Sequence, residues 1–369
     1  MDTLLASDLE HHSRREFLKL ITGGALGLFW LALLSKAVGR ERLVPAADLL
    51  AVYDIPASDP QPALLGRVLD NTLAVYDRPS FSAKLVNMYW RDLVFPINAA
   101  TIGDRYPEHN RVWYLINGEG YVHSGKVQPV SMRPNPPLAA VPAEGRLVEV
   151  TVPYTDTRKD PDRPDRTSYR LFYGTTFWIT EVVRDKTGVA WYRIPDDKYR
   201  DLEYFAEARH LRPIEAEDTA PLSPNVPPEA KRLEVRLLDQ VVVAYEQGHP
   251  VFMARTATGG RFIDGDYSTP TGSFITNRQR PSRHMASEDL ASASGYDLPG
   301  VPWVCYLTLS GISFHGTFWH NDFGRPRSPG CLNLTSQAAR WIYRWTQPSV
   351  PTGEHTYEEK AGTRVDVVE

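Results

Sequence analysis

Cysteine is nearly absent. The 369 residues contain two, Cys305 and Cys331, and so few exclude a disulfide-stapled scaffold. An excess of either charge is also missing. Lys and Arg number 41 against 45 Asp and Glu, a formal net charge of −4, and no dense Lys/Arg run occurs. Such a chain has no basic field with which to hold nucleic acid, and no nucleic-acid partner is expected. The conspicuous apolar run, Leu20–Leu34, is fifteen residues, short of the roughly 20 that a membrane-spanning helix needs.

That short run has another use. Ser13-Arg14-Arg15-Glu16-Phe17-Leu18-Lys19 precedes it and matches the twin-arginine export consensus, and the run suits a signal h-region. Residues 1–40 are expected to be an export signal or, if uncleaved, an N-terminal membrane anchor. No clean Ala-x-Ala site follows; Ser35-Lys36-Ala37 is a weak one. The expected place of work is the cell envelope, outside the cytoplasmic membrane. The twin-arginine route carries folded proteins, so folding in a reducing cytoplasm agrees with scarce cysteine. Residues 41–65 lack periodicity, and no regular structure is expected there.

What is abundant is proline, 30 residues, with 11% aromatics and 42% hydrophobic residues. This length implies more than one domain at about 100–200 residues each, and the composition favours strand-rich modules. Two similar segments occupy residues 65–132 and 145–215. In the first, Val112-Trp113-Tyr114-Leu115-Ile116 and Gly120-Tyr121-Val122 read as strands across a turn. In the second, Trp191-Tyr192 stands where Trp113-Tyr114 stands in the first, and Arg212-Pro213 where Gln128-Pro129 does. The pattern is an internal duplication of a small β-barrel. Alternation along a strand predicts one buried ring in each Trp-Tyr pair, with core the favoured role over a peptide-binding groove. Residues 216–230 carry four prolines and read as a linker, stiffened toward an extended form and holding the barrels off the next domain.

Residues 231–369 form the last unit. Leu233, Val235 and Leu237 alternate with charged residues, and Val241, Val243 and Tyr245 follow, as half-buried strands do. Residues 277–300 read as a long irregular excursion. Trp303-Val304-Cys305-Tyr306-Leu307 reads as a buried strand, with Cys305 a small core hydrophobe; a Cys305–Cys331 disulfide is the alternative. Ala338, Trp341, Ile342 and Trp345 make a helical stripe behind Thr335 or Ser336 as N-cap.

The chemistry concentrates in Ile312–Leu334. His315 ends an apolar run and is followed by Gly316; sixteen residues after His315, Cys331 follows Ser328-Pro329-Gly330 and precedes Leu332-Asn333. A thiol becomes a useful nucleophile when an imidazole takes its proton. Cys331 is the candidate nucleophile and His315 the candidate base, with His320 as its rival. A zinc site from His315, His320 and Cys331 fits no standard spacing, so no metal is expected. The N–H groups of Gly330 and Cys331 are candidate oxyanion donors. Arg325 and Arg327 are candidates to meet a substrate carboxylate. A helix starting past the nucleophile would point its positive end at the turn.

This stretch resembles the L,D-transpeptidase catalytic domain, the YkuD family, on His315, Ser328, Gly330, Cys331, Leu332 and Asn333. It departs at Pro329, where the family usually carries His. Thr269-Pro270-Thr271-Gly272 resembles the family's Thr-Pro-x-Gly segment, and the two upstream segments resemble bacterial SH3-like domains. The resemblance implies a mainly β chain: two SH3-like barrels, then an L,D-transpeptidase-type β-sandwich with a short helix after the nucleophile. It also implies that the Gly316 carbonyl orients His315, that Ser328 and Asn333 tie the turn, and that 277–300 is a lid to which Tyr296 contributes. Arg327 is the arginine retained as a substrate contact. The implied substrate is the peptidoglycan peptide stem, cross-linked 3→3 through a Cys331 thioester. Carbapenem-type inhibitors are expected to acylate the thiol, and no cofactor is implied. A wall-binding protein with a silent or carboxypeptidase-type domain is the alternative.

Overall fold

The computed structural model describes residues 43–50, 64–164, 167–263, 265–287, 290, 295–351, 353–359 and 362–369. The candidate export segment, residues 1–40, lies outside them. The first module holds β1 (Val44–Pro45), α1 (Ala46–Leu50), β2 (Leu65–Val68), β3 (Thr72–Tyr76), β4 (Leu85–Trp90), β5 (Val94–Ile102), β6 (Val112–Ile116), β7 (Gly120–His123) and β8 (Val127–Val130). The second holds β9 (Arg146–Val150), β10 (Tyr154–Arg158), β11 (Thr167–Phe172), β12 (Thr176–Ile179), β13 (Glu181–Arg184), β14 (Ala190–Pro195), β15 (Glu203–Glu207) and β16 (Leu211–Pro213).

The two modules share one pairing scheme. β2 lies between β5 and β8, as β9 lies between β12 and β16. The β3–β4, β3–β7 and β6–β7 pairs recur as β10–β11, β10–β15 and β14–β15. The long β5 of the first module is split into β12 and β13 in the second, so its β6 pairing recurs as β13–β14. Each module closes around its own apolar core. Part of the leader, expected to be irregular, is ordered. Val44–Pro45 pairs with β5, and Leu49 and Leu50 are buried in the first core.

Both rings of each Trp-Tyr pair are buried, not one. Trp113, Tyr114, Trp191 and Tyr192 are all at most 4% exposed. The second face of the strand is covered too. Trp113 packs on Tyr76, Phe81 and His123, and Trp191 lies under the Arg158 guanidinium while donating Nε1–H to Asp185.

The third unit contains β17 (Lys231–Arg236), β18 (Val241–Glu246), β19 (His249–Arg255), β20 (Arg261–Phe262), β21 (Gly265–Asp266) and β22 (Gly272–Ile275). It continues through β23 (Arg278–Ala286), β24 (Asp297–Tyr306), β25 (Ser313–Gly316) and β26 (Leu332–Leu334), and ends in β27 (Tyr357–Glu358) and β28 (Arg364–Val368). Two sheets, β19-β18-β17-β28-β22 and β26-β25-β24-β23-β27, enclose one core. Leu233, Val235, Val242 and Val365 come from the first sheet, and Trp303, Cys305, Phe314 and Leu332 from the second. Alternate residues face inward because the side-chain period of a strand is two. The helix between β26 and β27 completes the core with Ala338, Ala339, Ile342 and Trp345.

Two expectations change. The stretch 277–300 is not wholly irregular: β23 and β24 take up most of its described residues and pair antiparallel, with a bulge between Arg283 and Met285. Pro281, Pro299, Gly300 and Pro302 obscure that pattern in the sequence. The linker does not hold the modules away. It forms α2 (Ala216–Thr219), and its backbone is gripped by Arg340, Arg344 and Lys231, which donate to the carbonyls of Asp218, Ala220 and Leu222. Leu147, Trp178 and Ile214 of the second module join the core of the third unit. Burying those apolar side chains outweighs the extended preference of proline-rich chain.

Candidate active site

The helix following β26 is α3 (Ser336–Trp345), capped by Thr335 Oγ1, which accepts from Ala338 N–H at 3.2 Å. β25 and β26 run parallel and place His315 opposite Asn333. Cys331 is the residue before β26, so two adjacent strands deliver the imidazole and the thiol to one end of the sheet. His315, Cys331, Ser328, Asn333, Tyr296 and Arg327 all line one cavity of 730 Å³, with Tyr267, Met285, Leu298 and Trp319 among its walls. β23, β24 and the residues next to them supply Met285, Ser287, Tyr296 and Leu298, so this strand pair borders the cavity that holds the thiol.

His315 is buried, and its Nδ1 lies 3.1 Å from the Gly316 carbonyl oxygen. A carbonyl can only accept, so Nδ1 carries the proton and Nε2 is left with the lone pair. Burial lowers the imidazole pKa to about 4, against a partial rise from the Gly316 bond. Gly316 has no room for a side chain: a Cβ would meet Pro302 at 2.7 Å and the Ser336 Cα at 3.0 Å. Burial raises the Cys331 thiol, and the Ser313 N–H and hydroxyl partly offset this. The Ser313 hydroxyl is 3.7 Å from the sulfur. Thiol and imidazole are therefore both neutral at rest, and the chemistry available is transfer of the thiol proton to a neutral base during attack.

The turn is tied from both sides. Ser328 Oγ donates to the Cys331 carbonyl at 2.5 Å and accepts from Gly330 N–H at 3.2 Å. Gly330 N–H, expected to face an oxyanion, serves the turn here. Thr269 Oγ1 donates to the Gly330 carbonyl and accepts from Gly259 N–H, each at 2.9 Å. Gly330 adopts φ +117°, a conformation that favours glycine. Asn333 meets His320 Nε2 at 2.9 Å. His320 is buried, its pKa lowered to about 3 chiefly by burial, and it packs beneath the loop and not against the cavity that holds the thiol.

Residues 317–327, between His315 and Cys331, are held by the first module. Arg67 donates to the Phe318 carbonyl at 2.7 Å, Asn321 donates to the carbonyls of Gly125 and Ser124, and His109 Nε2 lies 2.7 Å from Asp322. Asp322 also takes Arg325 and Arg327 at 2.7 and 2.8 Å. Burial opposes its ionisation, but His109 and the arginines win and hold the carboxyl well below the usual range. Both arginines expected to meet substrate are thus committed to Asp322, though Arg327 still borders the cavity. The helix dipole does not act on the thiol as expected. β26 intervenes, about 10 Å of strand, and a helix dipole fades within its first turn. Cys305 is a free, buried thiol pushed up to about 12 by burial, with no bond to Cys331.

Residues 230–367 match the YkuD family, the L,D-transpeptidase catalytic domain. No curated protein sequence matches the chain. Among solved structures, an L,D-transpeptidase from Mycobacterium smegmatis is similar at 21% identity over 38% of this chain and 59% of its own, with a TM-score of 0.32. One from Enterococcus faecium is 18% identical over 37% of this chain and 49% of its own, TM-score 0.29. L,D-transpeptidase 3 from Mycobacterium tuberculosis is 16% identical over 63% of this chain and 98% of its own, TM-score 0.31. The chain spans about half to three-fifths of the first two.

Within this transpeptidase-type domain the motif reading missed Ser313 and Thr269 as parts of the site, and Asp322 as its anchor. Ser313 was signalled: it precedes His315 by two residues and so shares its strand face. Thr269 sits in the Thr-Pro-x-Gly segment. Asp322 pairs locally with Arg325 and Arg327, but its tie to the first module had no local signal, because His109 lies 213 positions away.

Proposed function

We propose that this is an exported cysteine L,D-transpeptidase of the cell envelope, acting on peptidoglycan stem tetrapeptides. Cys331 Sγ attacks the carbonyl carbon of the L-to-D bond while its proton passes to His315 Nε2. The C–N bond breaks, the terminal D-residue leaves as an amine carrying that proton, and a thioester remains. An amine of a neighbouring stem attacks the thioester, giving a 3→3 cross-link and restoring the thiol. The observation that carries this reading is His315, oriented by the Gly316 carbonyl, in one cavity with Cys331. Tyr296 and Arg327 border the stem, and the Cys331 N–H faces the oxyanion. The two upstream modules are SH3-like domains, and residues 1–40 direct export or anchor the chain.

Pro329 and the engaged Gly330 N–H favour a second reading. A weaker oxyanion site would suit a domain that binds stems without turnover, or one that passes the acyl group to water as an L,D-carboxypeptidase.

Intact mass after incubation with a carbapenem tests the nucleophile and base. An adduct is expected on the native chain and on His320→Gln, and none on Cys331→Ala or His315→Gln. With a disaccharide-tetrapeptide, a cross-linked dimer supports transpeptidation, a trimmed tripeptide alone the carboxypeptidase. No adduct on folded, reduced protein would sink the enzymatic reading.

A further inference from the structure

The wall that β23 and β24 give the cavity of Cys331 is attached on its far side to the second module. His284 and Met285 are consecutive in β23, and neighbouring side chains of a strand leave on opposite faces. Met285 lines the cavity, while His284 meets the second module. The bulge between Arg283 and Met285 falls at His284, and bulges re-aim a side chain. His284 is 2% exposed, with Nδ1 2.7 Å from Asp196 and Nε2 2.5 Å from Asp297. Asp196 follows β14 of the second module, and Asp297 opens β24 directly after Tyr296, another residue of the cavity wall.

A carboxylate accepts, so both ring nitrogens of His284 must donate, and only the imidazolium does that. Burial opposes ionisation of Asp196, but its bonds to His284 and to the N–H groups of Tyr199 and Lys198 hold its pKa below the ordinary value. The other groups around the ring keep their charge near neutral pH. Asp197 takes Arg283 at 2.6 Å, Arg280 at 3.5 Å and the His284 N–H at 2.6 Å, and Lys198 donates to the Ala286 carbonyl. Burial and the nearby carboxylates raise Tyr169, Tyr199 and Tyr204 above their ordinary 10. His355 lines a small cavity beside His284, and burial lowers its pKa.

We propose that His284 is a positioning residue for the Cys331 cavity: bonded by both Asp196 and Asp297, its imidazolium is the latch through which the second module holds the β23–β24 wall. Loss of the proton leaves one ring N–H for two carboxylates. The Asp196 side chain is 1% exposed and that of Asp297 32%, so the buried acid keeps the donor and the wetter one gives it up. Asp297 is then left with the Tyr169 hydroxyl at 3.2 Å, and the wall beside Tyr296 loosens. The proposal deepens the transpeptidase reading and rests on it only in taking this cavity as the place of acylation.

The test is alkylation of the full chain by iodoacetamide, read by intact mass over a range of pH in native protein and in His284→Gln. Cys305 is fully buried, so the adduct reports Cys331, and Cys331→Ala should form none. Thiol ionisation is common to both chains, so the ratio of their rates at one pH isolates the wall. His284→Gln should react about tenfold faster than native below pH about 6.5, the worth of one charge-assisted bond. The ratio should fall to about one as pH rises through the His284 titration, followed by its imidazole ¹⁵N signals, which should show two ring N–H groups at acid pH. Should His284→Gln not fold, Asp297→Asn keeps the shape and should move both the titration and the break in alkylation rate to lower pH. Alkylation needs no turnover, so a native chain that carbapenem fails to acylate counts against the transpeptidase reading and leaves this result standing. A rate ratio of one throughout, a ratio that ignores pH, or a single ring N–H on His284 at acid pH would each overturn the proposal.

Discussion

Arg67 joins three parts of the protein, and replacing it with Met measures how far the upstream module governs the loop between His315 and Cys331. Its guanidinium donates to Asp92 at 2.7 Å, to Gln128 at 2.7 and 3.1 Å, and to the Phe318 carbonyl at 2.7 Å, while lying 4.1 Å above the Phe172 ring. The side chain is 3% exposed, and burial lowers its pKa to about 10, so it is charged at neutral pH. Breaking a buried ion pair by removing one partner costs about 3–5 kcal/mol, because the other charge is stranded. Here Arg170 still meets Asp92 at 2.9 Å, which limits that penalty. Met keeps the apolar stem against Phe172, so packing is largely spared. The Phe318 carbonyl and the Gln128 side chain lose their donor, at about 1–3 kcal/mol each when buried. The net expectation is a loss of about 3 kcal/mol for Arg67→Met. Urea unfolding at neutral pH reads this as a lower midpoint. Because Phe318 lies between His315 and Cys331, carbapenem acylation followed by intact mass should also slow. A loss under about 1 kcal/mol, the level of a surface pair, with unchanged acylation would refute the claim that the first module braces the 317–327 loop.

Three further outcomes follow from the same geometry. With the His315 pKa lowered to about 4 against an ordinary 6.5, the base stays neutral on acidification; acylation rate should hold until pH nears about 4, and an acid limb centred at 6.5 would show that His315 is not buried in the working enzyme. Gly259→Ala places a Cβ 2.1 Å from the Tyr267 carbonyl oxygen and 2.7 Å from the Gly330 Cα; both obstacles are backbone, so a loss of about 3 kcal/mol or more in chemical unfolding is expected, and near-neutral behaviour would contradict the turn's close approach. His284 lies between Asp196 at 2.7 Å and Asp297 at 2.5 Å, and although burial opposes protonation these carboxylates raise its pKa above 6.5. Its stabilisation is therefore full below 6.5 and lost as pH rises through the raised value; native chain and His284→Gln should differ most in urea midpoint at acid pH and converge on alkalinisation, and a gap that ignores pH would count against the ion pair.

The candidate site was readable because its chemistry is local. His315, Ser328, Cys331 and Asn333 fall within one short stretch, and a thiol beside an imidazole needs no distant partner to be recognised. The strands were readable for a similar reason: the period-two pattern of Leu233 and Val235, or the repeated Trp-Tyr pair, follows from which face a strand buries. The pair β23 and β24 was not, because its prolines and polar residues hide a pairing that only a partner strand reveals.

How the units meet was not legible at all. Arg67 and Phe318 are 251 positions apart, and nothing in either neighbourhood marks the other. The linker's prolines spoke for an extended spacer, yet Trp178 and Ile214 of the second module share a core with Trp303 and Trp345. Local preference is worth tenths of a kcal/mol per residue, while burying one large apolar side chain is worth about 1.5–3 kcal/mol, so docking prevails. Only that docking brings Asp196 onto His284, since the two belong to units that are separate in sequence and adjacent in space.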